Sequence, residues 1–483
     1  MNLTVATNWD PPLADELCGI DQVKELFGVL QRTPVGSGRP YFIIADPSPE
    51  EAAAYIEGVH ARGRKFNYLL NGPCMNNMEY DRAVHRQLID HIHWLRDIGV
   101  DSLTVTIPYL LEIVKRQFPD METRVSVIAH VNSVQRARLF ESLGADAITL
   151  DVNINRDFKL LEKIRRAVKC RLGLIVNDPC LYQCPFRTYH YNLLAHSTQP
   201  YNPLEGFYID YCIVRCTIEK YSHPVEIIRS RWIRPEDLHL YQDLGIDAFK
   251  ISGRRMSTRW LLNAANAYAA RGYEGNLFDL LNCVTPGVDV DAHSPQYQTF
   301  LKQSEFLKRE KLIQLGQLYP VKPHIDNRGL DGFIDFFKEK ACLSSCAECR
   351  YCQQVAEKVI QLDPAEAAPY IAALKELLDD LTTGRIFEEP DGAATKAGDD
   401  GLPWNRDVEA VFDRLIRHTP EMFRDIARQT VKRQAEINAQ ERQSSLVEEG
   451  DMVRAFLSET PQPFQADMIS ALQEGGIPLD DYR

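Results

Sequence analysis

The chain has 483 residues, 45% of them hydrophobic and 25% charged, with a formal net charge of −13. That mixture belongs to folded globular domains, and the length exceeds one ordinary domain, so two or three units are expected. So negative a balance excludes bulk electrostatic coating of nucleic acid or anionic membrane, while leaving room for a local basic groove for RNA. No apolar run is long enough to span a bilayer. The opening MNLTVATNWDPPLADE lacks the basic stretch and apolar core of a secretory signal, so a cytoplasmic protein without membrane insertion is expected. The sequence leaves the oligomeric state open.

From the start to about residue 275, short β-rich runs alternate with amphipathic stretches of helical length. The predicted strands are LTVATNW (3–9), YFIIAD (41–46), FNYLL (66–70), SLTVTI (102–107), VSVIAHV (125–131), AITLD (147–151), LGLIVN (172–177) and AFKISG (248–253). Their nearly continuous apolar content suits parallel strands covered on both faces. Helices lie between them, as in SPEEAAAYIEGVHARG, which opens with Ser-Pro and a nearby Glu. The repeated unit calls for an α/β fold, and eight strands make a (β/α)8 TIM-type barrel the leading choice over an open doubly wound sheet.

In such a barrel, functional groups sit where strands end and helices begin. Asn71 and Cys74 follow the third predicted strand, His130 and Asn132 the fifth, and Lys250 and Arg254 the eighth. These six are the candidate catalytic residues. Asp151 and Asn153 follow the sixth strand, and Asn177 and Asp178 the seventh. In NGPCMNN (71–77) a thiol flanked by amides could contact substrate, although an Asn-Gly-Pro turn accounts for the same residues. PVGSGRP (34–40) lacks the Lys-Ser/Thr of a phosphate loop and reads as a turn.

Residues 276–387 read as a connection that carries a helix-like stretch, QTFLKQSEFLKREKLIQLGQ, a cysteine-rich segment and further helices over 353–385. EEPDGAATKAGDDGLP (388–403) has linker composition. Residues 404–483 read as a small helical domain without cysteine.

Twelve cysteines in a chain without an export signal point to metal or redox chemistry more than to disulfides. Cys180 and Cys184 form one C-x3-C pair, and Cys212 and Cys216 a second. Four thiolates complete a 4Fe–4S site; zinc accepts the same ligands, usually at other spacings, and unreactive buried thiols are the remaining alternative. Cys342, Cys346, Cys349 and Cys352 form a denser C-x3-C-x2-C-x2-C group that opens a helix. A second 4Fe–4S cluster is expected there, with structural zinc as the alternative, and the helix N-terminus would favour an anionic cluster. The C-x3-C-x2-C of radical S-adenosylmethionine enzymes occurs within this group, but after the barrel instead of in an early barrel loop. His190 and His196, six residues apart, read as hydrogen-bonding or surface residues, and Cys170 and Cys283 as plain buried thiols.

Over roughly residues 40–275 the chain resembles the U-32 peptidase, or collagenase-like, family. The carriers are the barrel strands, HVNSVQRARLFESLGADAITLD (130–151), the cysteine loop after LGLIVN, and FKISGRRMSTRWLLNAANAYAARG (249–272), which is similar to the family's Lys-Ile-Glu-Gly-Arg stretch. The resemblance implies a TIM-type barrel with one 4Fe–4S cluster on Cys180, Cys184, Cys212 and Cys216. Ser252 stands where the family has Glu, Asp151-Val152-Asn153 replaces Ser-Arg-Glu, and NDPCLYQC replaces a glycine-rich segment, which marks a divergent branch. The C-terminal module is similar to the small helical domain that ends the light-independent protochlorophyllide reductase B subunit, through Trp404, Pro420 and Arg424.

The family resemblance implies two activities: peptide hydrolysis, or oxygen-independent hydroxylation of an RNA base or a small aromatic, quinone-type substrate. The cysteines favour an iron–sulfur oxidoreductase or hydroxylase, because a cluster gives one-electron access whereas peptide hydrolysis needs an activated nucleophile or metal-bound water. A small-molecule or RNA substrate and an electron-donor protein are the expected partners. A peptidase with a structural metal and a non-enzymatic electron-transfer or assembly partner are the alternatives.

Overall fold

The computed structural model describes residues 1–39, 45–202, 208–283, 321–340, 342, 345–387, 402–417, 424–460, 465–475, 477 and 479. Eight parallel strands close into a barrel in chain order: β1 (Leu3–Ala6), β2 (Val23–Gly28), β3 (Lys65–Leu70), β4 (Ser102–Val105), β5 (Glu122–Val125), β6 (Ala147–Thr149), β7 (Arg171–Ile175) and β8 (Ala248–Ile251). Helices alternate with the strands, and β8 pairs back onto β1 through Leu3–Phe249 and Thr4–Lys250. The architecture is the (β/α)8 barrel that the sequence pattern favours, followed by a helical C-terminal region.

Two predicted strands need correction. The second barrel strand is Val23–Gly28, not 41–46; residues 41–44 of that prediction lie outside the described residues, and Ala45 and Asp46 are not in a strand. VKELFG escapes an apolar-run reading because Lys24 points to solvent while Glu25 is buried inside the barrel. The fifth strand is Glu122–Val125 instead of 125–131. After it the apolar Val127–Ala129 forms a 3-10 turn capped by Ser126, whose Oγ accepts from the Ile128 amide at 3.2 Å. In both cases polar residues serve an inward face that is not apolar.

The barrel interior is layered. In the lower layer the Glu25 carboxylate takes a two-pronged ion pair from Arg124, at 2.8 and 3.2 Å. Thr4 Oγ1 and Ser102 Oγ donate to the same carboxylate, and Asn67 links Ser102 to Thr104. Above it, Phe27, Leu69, Thr149, Ile175 and Lys250 form the floor of the barrel mouth.

Outside the barrel, helices pack by amphipathic faces. Helix Pro49–Ala61 starts with a reciprocal cap: Ser48 Oγ accepts from the Glu51 amide, and the Glu51 carboxylate accepts from the Ser48 amide. Its face of Ala52, Tyr55, Ile56 and Val59 is buried. Ser48→Ala is expected to cost about 1 kcal/mol, read as a lowered urea midpoint with an unchanged slope.

Chain packing separates Met1–Glu388 from Glu389–Arg483. The helix-like stretch expected at 298–317 lies outside the described residues. The second unit builds its core from Phe412, Met452, Phe456 and Leu472, with Trp404 against Phe412. Its fully buried Asp451 is held by Arg442 and Arg454. Pro420, one of the three residues that carry the resemblance of this module, lies outside the described residues.

Candidate active site and metal centre

The C-terminal ends of the strands open into a pocket whose charged and polar lining includes Arg39, Asn71, Asp178, Lys250, Ser252 and Arg254. Of the six candidate catalytic residues, Asn71, Lys250 and Arg254 line it and Cys74, His130 and Asn132 do not. Asn71 anchors Thr106 through its backbone carbonyl, while its side-chain Oδ1 is buried without a hydrogen-bond partner. Arg254 is buried with Nη1 likewise unpartnered. Such orphaned polar atoms carry a desolvation cost that a bound ligand would remove.

Lys250 projects inward from β8, its ammonium nitrogen 3.8 Å above the Phe27 ring. Burial pushes its pKa well below the ordinary lysine range, Arg124 and Arg254 push the same way, and Glu25 opposes them without prevailing. The direction of that shift favours the neutral amine, which makes Lys250 a candidate proton acceptor as well as an anion holder.

His130 sits beside the pocket in a left-handed conformation, φ 53°, with Nδ1 3.3 Å from Asp151 Oδ2. Asp151 also accepts from Arg187 Nη1 at 2.5 Å and from the Asn153 amide at 2.9 Å. Burial works against its ionisation, but the His130 hydrogen bond and the Arg187 charge hold the carboxyl at about 2. Asn132 is exposed. The Cys74 thiol accepts from the Asn76 amide at 3.2 Å, as a turn residue does. Gly72 before it is required by close packing: a Cβ there would lie 2.2 Å from the Val35 carbonyl oxygen.

The first cysteine group adjoins this mouth. Cys180 and Cys184 lie on the loop after β7, and Cys212 and Cys216 are one turn apart on helix Tyr211–Ser222, hence on one face. The loop is pinned at three points. The Cys180 amide donates to Asp178, the Gln183 amide to Asn153 Oδ1, and Ser230 Oγ to the Pro179 carbonyl. Cys184, Cys212 and Cys216 share one electrostatic neighbourhood, and burial pushes the thiols of all four cysteines up, Cys212 to about 12. Metal binding at such thiols has to displace their protons.

Lys220, one further turn along the helix, faces Cys216, Cys283 and Cys180 together with Asp178. Cys283, read from sequence as a plain buried thiol, therefore stands beside this group. Among the described residues no three His, Cys, Asp or Glu side chains come close enough to hold a single metal ion. A cuboidal cluster separates its four thiolates more widely than one ion does, and this donor set, two short pairs with a cation alongside, fits that larger group. His190 hydrogen-bonds Asp210 at 3.0 Å.

The second group lies on short helix Cys346–Cys349 and the start of helix Tyr351–Val359, with Cys342 ahead of them. Cys349 is exposed and the other three are partly buried.

Three comparisons bear on this arrangement. The model of peptidase family U32 matches residues 45–183. An uncharacterized protease of Methanocaldococcus jannaschii, MJ1657, is 33% identical over 346 residues, which cover 70% of this chain and 90% of the relative. The chain belongs to peptidase family U32. The solved structure of the U32 peptidase Mk0906 is 21% identical and aligns over 52% of this chain and 93% of its own, with a TM-score of 0.40. Residues 399–483 of this U32 protein match a family of unknown function, DUF2621. Among the described residues no helix is long and apolar enough to cross a membrane.

Arg39, Tyr191, Lys220 and Arg187 are site residues that sequence reading missed. Lys220 carried a signal: it continues the spacing of Cys212 and Cys216 along one helical face. Arg187 and Tyr191 carried none, because they sit in a helix whose apolar periodicity is weak.

Proposed function

We propose that this U32 protein is an iron–sulfur enzyme that hydroxylates an RNA base or a small aromatic, quinone-type substrate at the barrel mouth without molecular oxygen. The observation that carries this reading is that the two C-x3-C pairs share one electrostatic neighbourhood with Lys220 and Asp178, and Asp178 lines a pocket holding a buried lysine. Held by Cys180, Cys184, Cys212 and Cys216, a 4Fe–4S cluster would supply one-electron exchange. Hydroxylation with water as the oxygen source converts R–H and H2O into R–OH, two protons and two electrons. The partner protein is then an electron acceptor for this direction of reaction, not a donor.

The chain's own residues fit the remaining tasks. Lys250 takes a proton from water or substrate. Arg39 and Arg254 attract an anionic or carbonyl-bearing substrate, and the orphaned Asn71 Oδ1 accepts from a substrate N–H.

Peptide hydrolysis is the second reading, favoured by the names of the family and of its relatives. It requires an activated nucleophile or a metal-bound water. Among the described residues no histidine lines the pocket beside its hydroxyl groups.

The test is anaerobic turnover in oxygen-18 water on RNA from cells lacking this chain, with the nucleosides read by mass spectrometry. A nucleoside gaining one labelled oxygen supports hydroxylation of RNA, and the same gain on a phenolic quinone precursor supports the small-molecule branch. Cleavage of casein by iron-free protein, with no labelled product, would establish the peptidase reading. Cys212→Ser is expected to abolish labelling and to remove about four irons per chain, counted by iron and sulfide assay.

A further inference from the structure

The second cysteine group lies against two buried cations that form no ion pair among the described residues. Arg231 is 4% exposed and Arg156 2%. Arg231 Nη2 donates to Cys342 Sγ at 3.2 Å, while its Nε and Nη1 are buried without partners. Arg156 donates to the Ile228 and Trp232 carbonyls, its Nε is unpartnered, and its guanidinium packs over the rings of Trp232, Phe333 and Phe337. Cys352 shares this neighbourhood with Cys342, Cys346 and both arginines. Two dry guanidinium groups side by side are costly unless negative charge stands against them. A four-thiolate metal centre is a concentrated negative charge of that kind.

Arg231 also reaches the first group. Its guanidinium lies 3.7 Å above the ring of Tyr182, which sits between Cys180 and Cys184. The helix that follows the second group, Tyr351–Val359, packs on Val225–Arg229 of the barrel, and Tyr351 stacks on Phe336 with ring centroids 4.0 Å apart. Cys349, by contrast, is exposed. The second group thus has one side on the barrel's buried arginines and the other at the surface.

We infer that Cys342, Cys346, Cys349 and Cys352 hold an anionic 4Fe–4S centre seated on Arg156 and Arg231, and that this centre is the electron port of the barrel site, coupled to it through Arg231 and Tyr182. This rests on the iron–sulfur reading of the barrel mouth. Each electron released there reduces the port centre by one, and the port is reoxidised at its exposed Cys349 side by a one-electron acceptor protein of ferredoxin type. Arg231 is a positioning residue: its hydrogen bond and charge stabilise the reduced, more negative form of the port.

The experiment is an anaerobic potentiometric titration of the full chain followed by electron paramagnetic resonance, with metal analysis. The native chain is expected to hold about eight irons and to show two reducible centres. Arg231→Gln is expected to keep the iron and lower the potential of one centre, and Arg231→Lys to recover part of the shift. Cys342→Ser/Cys352→Ser is expected to lose about four irons, and oxidation of the barrel centre by oxidised ferredoxin to slow at least about tenfold. Zinc in place of iron at the second group, an unchanged potential in Arg231→Gln, or unchanged ferredoxin kinetics would overturn the inference. Failure of the barrel reading is distinguishable: the native chain would then hold about four irons, and Arg231→Gln would still shift their potential.

Discussion

Lys250→Met is expected to lower turnover by about 10²–10⁴-fold while making the protein more stable. The two effects have one origin. In the barrel the amine is buried, with Arg124 and Arg254 adding to the cost of protonation, so its folded pKa is depressed. In the unfolded chain the same amine takes a proton at about 10.4. Between the folded value and about 10 the unfolded state binds the extra proton, so stability falls as the pH is lowered through that window. Met fills the site against Phe27 without that burden. Urea melts at several pH values should show the stability of the native chain rising toward alkaline pH more steeply than that of Lys250→Met. Equal slopes would mean that Lys250 is charged in the folded protein, and its assignment as a base would fail.

Glu25→Ala is expected to destabilise the barrel by about 3–5 kcal/mol, because it leaves Arg124 buried in the lower layer without its main carboxylate. Glu122, 3.5 Å away, offers partial compensation and places the effect toward the lower end. Replacing both partners, Glu25→Leu with Arg124→Met, is expected to be nearly neutral, since no stranded charge remains. Burial opposes ionisation of Glu25, but Arg124 holds its carboxyl below the usual range. Its contribution is therefore present above about pH 4 and is lost as the pH falls through the folded value. Denaturant midpoints of the two variants decide the matter: a double variant as unstable as the single one would show that the ion pair itself, not the unpaired arginine, sets the cost.

The same buried pair explains what the sequence concealed. The barrel was legible where strands are apolar on both faces, as in LGLIVN, and where the inward residues are only small and uncharged, as in SLTVTI. It was illegible where an inward face is ionic, as with Glu25 in β2 and Arg124 in β5, because apolar-run reading assumes a dry interior. At the site, residues at strand ends could be placed from topology alone, which brought Asn71, Lys250 and Arg254 to the pocket. The loops between strand and helix decide the rest. His130 turns aside in a left-handed conformation to meet Asp151, and no periodicity announces that turn. The buried arginines beside Cys342 were equally hidden, since Arg156 and Arg231 look like ordinary surface charges until the rings of Phe333 and Phe337, far along the chain, cover them.

The central claim is that the four thiols at the barrel mouth carry a redox-active iron–sulfur cluster. Its most direct test is anaerobic purification of the chain with Cys342, Cys346, Cys349 and Cys352 all replaced by Ser, followed by iron and sulfide analysis and electron paramagnetic resonance after dithionite reduction. The account predicts about four irons and four sulfides per chain and a paramagnetic signal that appears on reduction. Stoichiometric zinc, or protein that folds and binds no iron, would contradict it.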